Sequence, residues 1–121
     1  LPVVPIPGPA AVTTALSAAG LPTHRFLFAG FPPPKASGLR KLLKELAAEK
    51  ATLVFYLPTR RIPDFLAAAA EVLGSGRRIV VARELTKVHE EFHRGTAAEL
   101  TAALGGRALK GEATVLVEGA D

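Results

Sequence analysis

The chain has 121 residues, 49% hydrophobic and 21% charged, with a formal net charge of +4. That length and composition fit a single globular domain, 1–121, and exclude disorder as the default. Cys is absent, which excludes a disulfide framework, a thiolate metal site and a cysteine nucleophile.

The first 23 residues carry no charge, but Pro2, Pro5, Pro7, Pro9 and Pro22 interrupt them. The uninterrupted stretch from Ala10 to Ala19 is shorter than the roughly 20 residues of a membrane span. No basic start marks a signal peptide, so neither membrane nor secretion is expected, and the cytoplasm is the expected setting. The chain has no Met and starts Leu1-Pro2-Val3-Val4, which reads as a piece of a longer protein. Pro9 suits the first position of a helix, Val12, Leu16 and Ala19 form its stripe, and Gly20 ends it.

Phe26-Leu27-Phe28 reads as a short strand closed by Gly30. Phe31-Pro32-Pro33-Pro34 is a stiff loop, because three of its residues lack an N–H. Leu39, Leu42, Leu43 and Leu46 have helical spacing. Thr52 to Tyr56 reads as a buried strand, Leu57 to Arg61 as a loop, and Pro63 as the start of a helix. Gly74-Ser75-Gly76 is a turn before a third strand, Ile79 to Ala82. Phe92 to Gly95 closes a fourth strand. Thr96 and Glu99 form a capping box for a helix that Gly105-Gly106 ends. Thr114 to Val117 is a fifth strand. Five strands separated by helices predict an α/β layered fold.

Charge is concentrated between Arg25 and Arg61, where eight basic residues face only Glu45 and Glu49. Such a surplus suits a polyanion such as a phosphate backbone. The alternative is a solvated helix face.

His89-Glu90-Glu91-Phe92-His93 matches H-E-x-x-H. Two histidines can share a zinc ion there only on a helix, and a third ligand is needed. An extended segment would hold them about 13 Å apart, at ~3.3 Å per residue. The segment follows a Val-rich strand and ends at Gly95, so no metal site is expected. No P-loop, G-x-G-x-x-G or G-x-S-x-G pattern occurs. No pair of acids has a spacing that demands acid–base work. Glu84 ends a buried-looking strand where it could face a cleft, or else pair with Arg83 or Lys87.

Several pieces occur together and in order. They are Val4-Pro5-Ile6-Pro7-Gly8-Pro9-Ala10-Ala11, Phe26-Leu27-Phe28-Ala29-Gly30-Phe31, Thr52-Leu53-Val54-Phe55-Tyr56 and Ala82-Arg83-Glu84-Leu85-Thr86-Lys87, followed by His89-Glu90-Glu91 and Arg94-Gly95-Thr96. In this order the chain resembles the C-terminal half of the tetrapyrrole methylase superfamily, and most of all its ribosomal RNA cytidine 2′-O-methyltransferase branch. The resemblance implies a mixed five-stranded sheet flanked by helices. It also implies a two-domain enzyme, with S-adenosylmethionine between the halves and the N-terminal half absent here.

By that resemblance, Pro7, Gly8, Pro9, Ala10, Ala11, Tyr56, Leu57, Arg83, Glu84, Leu85 and Thr86 line the adenosine pocket, and Glu112 is a further candidate. Lys35, Arg40, Lys41, Lys44, Arg60 and Arg61 are the expected RNA contacts, drawn from the basic stretch. The family pattern after the Phe-Tyr pair is usually Glu-Ser-Pro-His-Arg. Here it is Leu57-Pro58-Thr59-Arg60-Arg61, so the carboxylate and imidazole are missing and no catalytic residue is assigned.

The expected function is methyl transfer from S-adenosylmethionine to small-subunit ribosomal RNA, with this piece inactive alone and a homodimer as the expected assembly. Two alternatives are methylation of a tetrapyrrole precursor and a non-catalytic module for partner binding or dimerisation.

Overall fold

The computed structural model describes residues 25–84, 90–104 and 111–120. The helix expected from Pro9 to Ala19 lies outside them, as do Gly105 and Gly106. The described elements are β1 (Phe26–Gly30), α1 (Ala36–Leu46), β2 (Thr52–Pro58), α2 (Ile62–Leu73), β3 (Ile79–Glu84), β4 (Glu90–Gly95), α3 (Ala97–Leu104) and β5 (Glu112–Val117).

The strands form one sheet in the order β1-β2-β5-β3-β4. β1 and β2 are parallel, and the other three pairings are antiparallel. The sheet is therefore mixed and five-stranded, as expected.

Strand alternation divides the apolar residues between two faces. Leu53, Phe55 and Leu57 of β2 join Val115 and Val117 of β5 and Val81 of β3 on one face. Leu39 and Leu43 of α1, Phe65 and Leu66 of α2, and Leu100 of α3 pack against them. Val54, Val80 and Leu116 are buried on the opposite face. The central strands are thus buried on both sides, which explains their near-continuous apolar runs.

Four strand boundaries differ from expectation. β3 runs on past Ala82 to Glu84, and β5 starts at Glu112, two residues before Thr114. β2 continues through Leu57 to Pro58, and Thr59–Arg61 form a 3₁₀ turn instead of an open loop. Leu57 supplies a third inward side chain on β2, and Thr59 N–H and Oγ1 both donate to the carbonyl of Gly111 (2.9 and 3.1 Å). Those bonds carry the β2–β5 pairing beyond the strand ends. β4 starts at Glu90, two residues earlier than expected, because Arg83 and Glu84 pair with Glu91 and Glu90.

The far end of the sheet is stitched by the C-terminal segment. Ala120 N–H donates to the carbonyl of Glu49 (2.8 Å), and Arg77 donates to the carbonyls of Ala47 and Glu118 (2.6 and 3.1 Å). Gly119 sits so close to Lys50 that a Cβ there would overlap the Lys50 carbonyl.

Candidate functional site

The register brings the candidate residues to one end of the sheet. β1, β2 and β3 finish there, and β4 and β5 begin there. Pro58 lies opposite Glu112. Leu57 and Arg83 both lie opposite Ala113, and Tyr56 and Ala82 both lie opposite Thr114. Four residues expected near the cofactor, Tyr56, Leu57, Arg83 and Glu112, therefore lie within three consecutive rows at this end. Glu84 ends β3 there as well. Pro7, Gly8, Pro9, Ala10, Ala11, Leu85 and Thr86 lie outside the described residues.

Alternation gives these residues different surroundings. Leu57 is on the helix-packed face and buried in the core, so at its row the backbone is what a ligand could reach. Tyr56 is on the other face and 5% exposed. Its ring meets Phe28 and Phe31 edge-on, with centroids 5.1 and 5.6 Å away. Burial raises the Tyr56 phenol pKa, and the neighbouring Glu112 carboxylate raises it further. The hydroxyl stays protonated at neutral pH and cannot serve as a base.

Arg83 is buried, and its Nη1 donates to Glu91 Oε2 at 2.9 Å. Glu91 Oε1 lies 2.8 Å from His93 Nε2. One carboxylate therefore bridges a guanidinium and an imidazole. Arg83 Nε is buried with no hydrogen-bond partner among the described residues. Glu91 is the residue that sequence reasoning missed. Its signal was the position opposite Arg83, which appears only once β3 and β4 are paired.

The H-E-x-x-H segment falls partly on β4, which is extended from Glu90 to Gly95. The helix that a shared zinc would need is absent from those residues, and His93 is engaged with Glu91. His89 lies outside the described residues.

The basic residues separate into two groups. Lys35 is the N-cap of α1, whose first turn contains no acid, so the side chain and the helix terminus both present positive charge. Arg60 and Arg61 follow the end of β2, so all three lie at the candidate end. Arg61 donates to the carbonyls of Pro32 and Pro33 (3.4 and 2.8 Å), which fastens the proline loop. Lys41 and Lys44 are exposed farther along α1, about 9 and 13 Å from its cap at 1.5 Å per residue. Arg40 pairs with Glu71 of α2 at 2.6 Å, so its charge is partly neutralised.

The model for Tetrapyrrole (Corrin/Porphyrin) Methylases matches residues 1–101. Ribosomal RNA small subunit methyltransferase I of Escherichia coli O157:H7 is 49% identical over 119 residues, covering 97% of this chain and 42% of the relative. The protein of that name from Mycobacterium bovis is 50% identical over 115 residues, covering 95% of this chain and 40% of its own. The chain thus spans about two fifths of the length of these relatives. A solved cobalt precorrin-4 methyltransferase superposes with a TM-score of 0.64 at 18% identity, covering 89% of this chain and 48% of its own. The methyltransferase CobJ gives 0.63 at 23% identity, covering 90% and 47%. At those identities the two structures speak for the fold, and they share it with the mixed sheet described above. By its family match, its ribosomal relatives and its sheet, the chain belongs to the tetrapyrrole methylase family.

Proposed function

We propose that this chain is the C-terminal half of a methyltransferase that modifies a cytidine 2′-hydroxyl of small-subunit ribosomal RNA. One observation carries the reading. The sheet end that gathers Tyr56, Leu57, Arg83 and Glu112 also gathers Lys35, Arg60 and Arg61. A cofactor contact surface and a polyanion contact surface therefore adjoin. The relatives named for ribosomal RNA match almost the whole of this chain, which favours RNA over a tetrapyrrole substrate.

S-adenosylmethionine supplies the electrophilic methyl group when bound. The residues present fit its adenosine end. Arg83 Nε is a buried donor with no acceptor among the described residues, and on the opposite face Ala82 lets the backbone be approached closely. Tyr56 offers a neutral hydroxyl on that opposite face, in the same row as Ala82.

Two described positions supply no base for the ribose hydroxyl. Leu57 fills the core where the family pattern has a carboxylate, and Tyr56 is held protonated. The work of this half is binding and orientation, which can supply a large part of a barrier reduction. Cationic side chains at Lys35 and Arg60 would hold the RNA backbone beside the reaction.

The test uses the methyltransferase that carries this chain, methyl-labelled S-adenosylmethionine and small ribosomal subunits lacking their methylations. Label is expected on a cytidine ribose. The 121-residue chain alone should transfer none. Label on a porphyrinoid substrate and none on RNA would overturn the reading.

A further inference from the structure

Phe31 is 58% exposed and Phe28 41% exposed, at the sheet end just described. Exposed rings of this size normally seek cover. Phe31 is nevertheless held firmly. Gly30 turns the chain with a φ of +74°, a conformation that side-chain-bearing residues rarely adopt. Pro32 is buried, and Arg61 ties down the carbonyls of Pro32 and Pro33. Gly38 lets α1 seat against Pro33, where a Cβ would come within 2.9 Å of that ring. On its inner side the Phe31 ring rests against Tyr56. A stiff loop therefore presents an aromatic ring to solvent at little further ordering cost.

The loop that carries the ring and the segments beside it are cationic, with Glu112 the acid on the Tyr56 side. No acid occurs between Arg25 and Lys44. Lys35 follows the proline loop, and Arg60 lies beside the Arg61 that clamps it. A second copy of this chain would bring like charges together across a two-fold contact. An apolar protein surface would strip water from Lys35 and Arg60 without neutralising them. Single-stranded RNA suits both features, because its phosphates match the cations and its bases stack on aromatic rings.

From this combination we infer that Phe31, flanked by Phe28, is a stacking platform for an unpaired base of the RNA substrate. The platform adjoins the cofactor rows through Tyr56 and reads no base identity, since every base has a stacking face. It would hold a nucleotide near the modified one. The inference rests on the RNA reading above.

The test measures binding of a short, end-labelled single-stranded RNA to the methyltransferase that carries this chain. Phe31→Ala should weaken binding about tenfold. Its salt dependence should not change, because no charge is removed. Phe31→Trp should retain affinity, and the fluorescence it adds over the parent protein should be quenched by RNA. An abasic RNA should bind the unaltered protein about as weakly as intact RNA binds Phe31→Ala. That comparison still decides the matter if the Ala variant does not fold.

Equal affinity for abasic and intact RNA would overturn the platform while leaving the RNA reading standing. So would an unquenched Trp. A Phe31→Ala variant that turns a dimer into a monomer at unchanged RNA affinity would assign the ring to self-association instead. Absence of any salt-dependent RNA binding by the unaltered protein would overturn both readings.

Discussion

Arg83 shows how much one buried charge organises around itself. A guanidinium at 6% exposure needs a counter-charge, because desolvating it alone costs several kcal/mol. Glu91 supplies that charge from the neighbouring strand and also engages His93. Glu91→Ala should therefore destabilise the protein by about 3 kcal/mol. Glu91→Gln, which keeps an acceptor, should cost less. Denaturant unfolding of both variants measures the difference. Equal loss in the two would mean that shape matters and the charge does not. Arg83 was legible in the sequence through its motif, but its partner was not. Glu and Asp are weak strand formers, so Glu90 and Glu91 hid the start of β4. Pairing with Arg83 outweighs that weakness.

Elements with a local signal were read closely. The Thr96 and Glu99 pair forms the expected reciprocal cap, with Glu99 N–H donating to Thr96 Oγ1 (3.3 Å) and Thr96 N–H donating to Glu99 Oε1 (2.9 Å). That backbone donor is the main cause of a lowered Glu99 pKa, with the Thr96 side chain adding to it. Thr96→Ala should cost about 1 kcal/mol and move Glu99 back toward the ordinary carboxylate range. A thermal melt and an NMR titration of Glu99 check the two halves separately. The stretch after Tyr56 was less legible. Leu57-Pro58-Thr59 reads as a loop because Pro and Thr are common in turns, yet Leu57 completes a buried row and Thr59 is tied to Gly111. A long-range partner decided that element, 52 residues away in sequence.

At the scale of the whole molecule, the candidate end and the stitched end of the sheet are built differently. The candidate end carries exposed rings and cations, whereas the opposite end is closed by Glu118. Arg78 holds that carboxylate through Nε and Nη2 (2.9 and 2.8 Å), and the Arg78 backbone N–H adds a third bond (3.2 Å). Glu118 follows β5, while Arg78 precedes β3, so the contact locks two antiparallel neighbours at their shared end. The Arg78 side chain is the largest cause of a lowered Glu118 pKa. A carboxyl whose folded pKa lies below its unfolded value stabilises the fold above the unfolded pKa. That contribution fades as pH falls through the folded value. Glu118→Gln should therefore cost about 0.5–1 kcal/mol near neutral pH, the range for a partly exposed pair of good geometry. The gap between variant and parent should close in acid, below the ordinary Glu range. High salt should narrow it at neutral pH, because Arg78 is more than half exposed. Unfolding free energies of both proteins across pH, at low and high salt, test this directly. A gap that persisted unchanged into acid would show that Glu118 acts through packing of the C-terminal segment and that its charge contributes little.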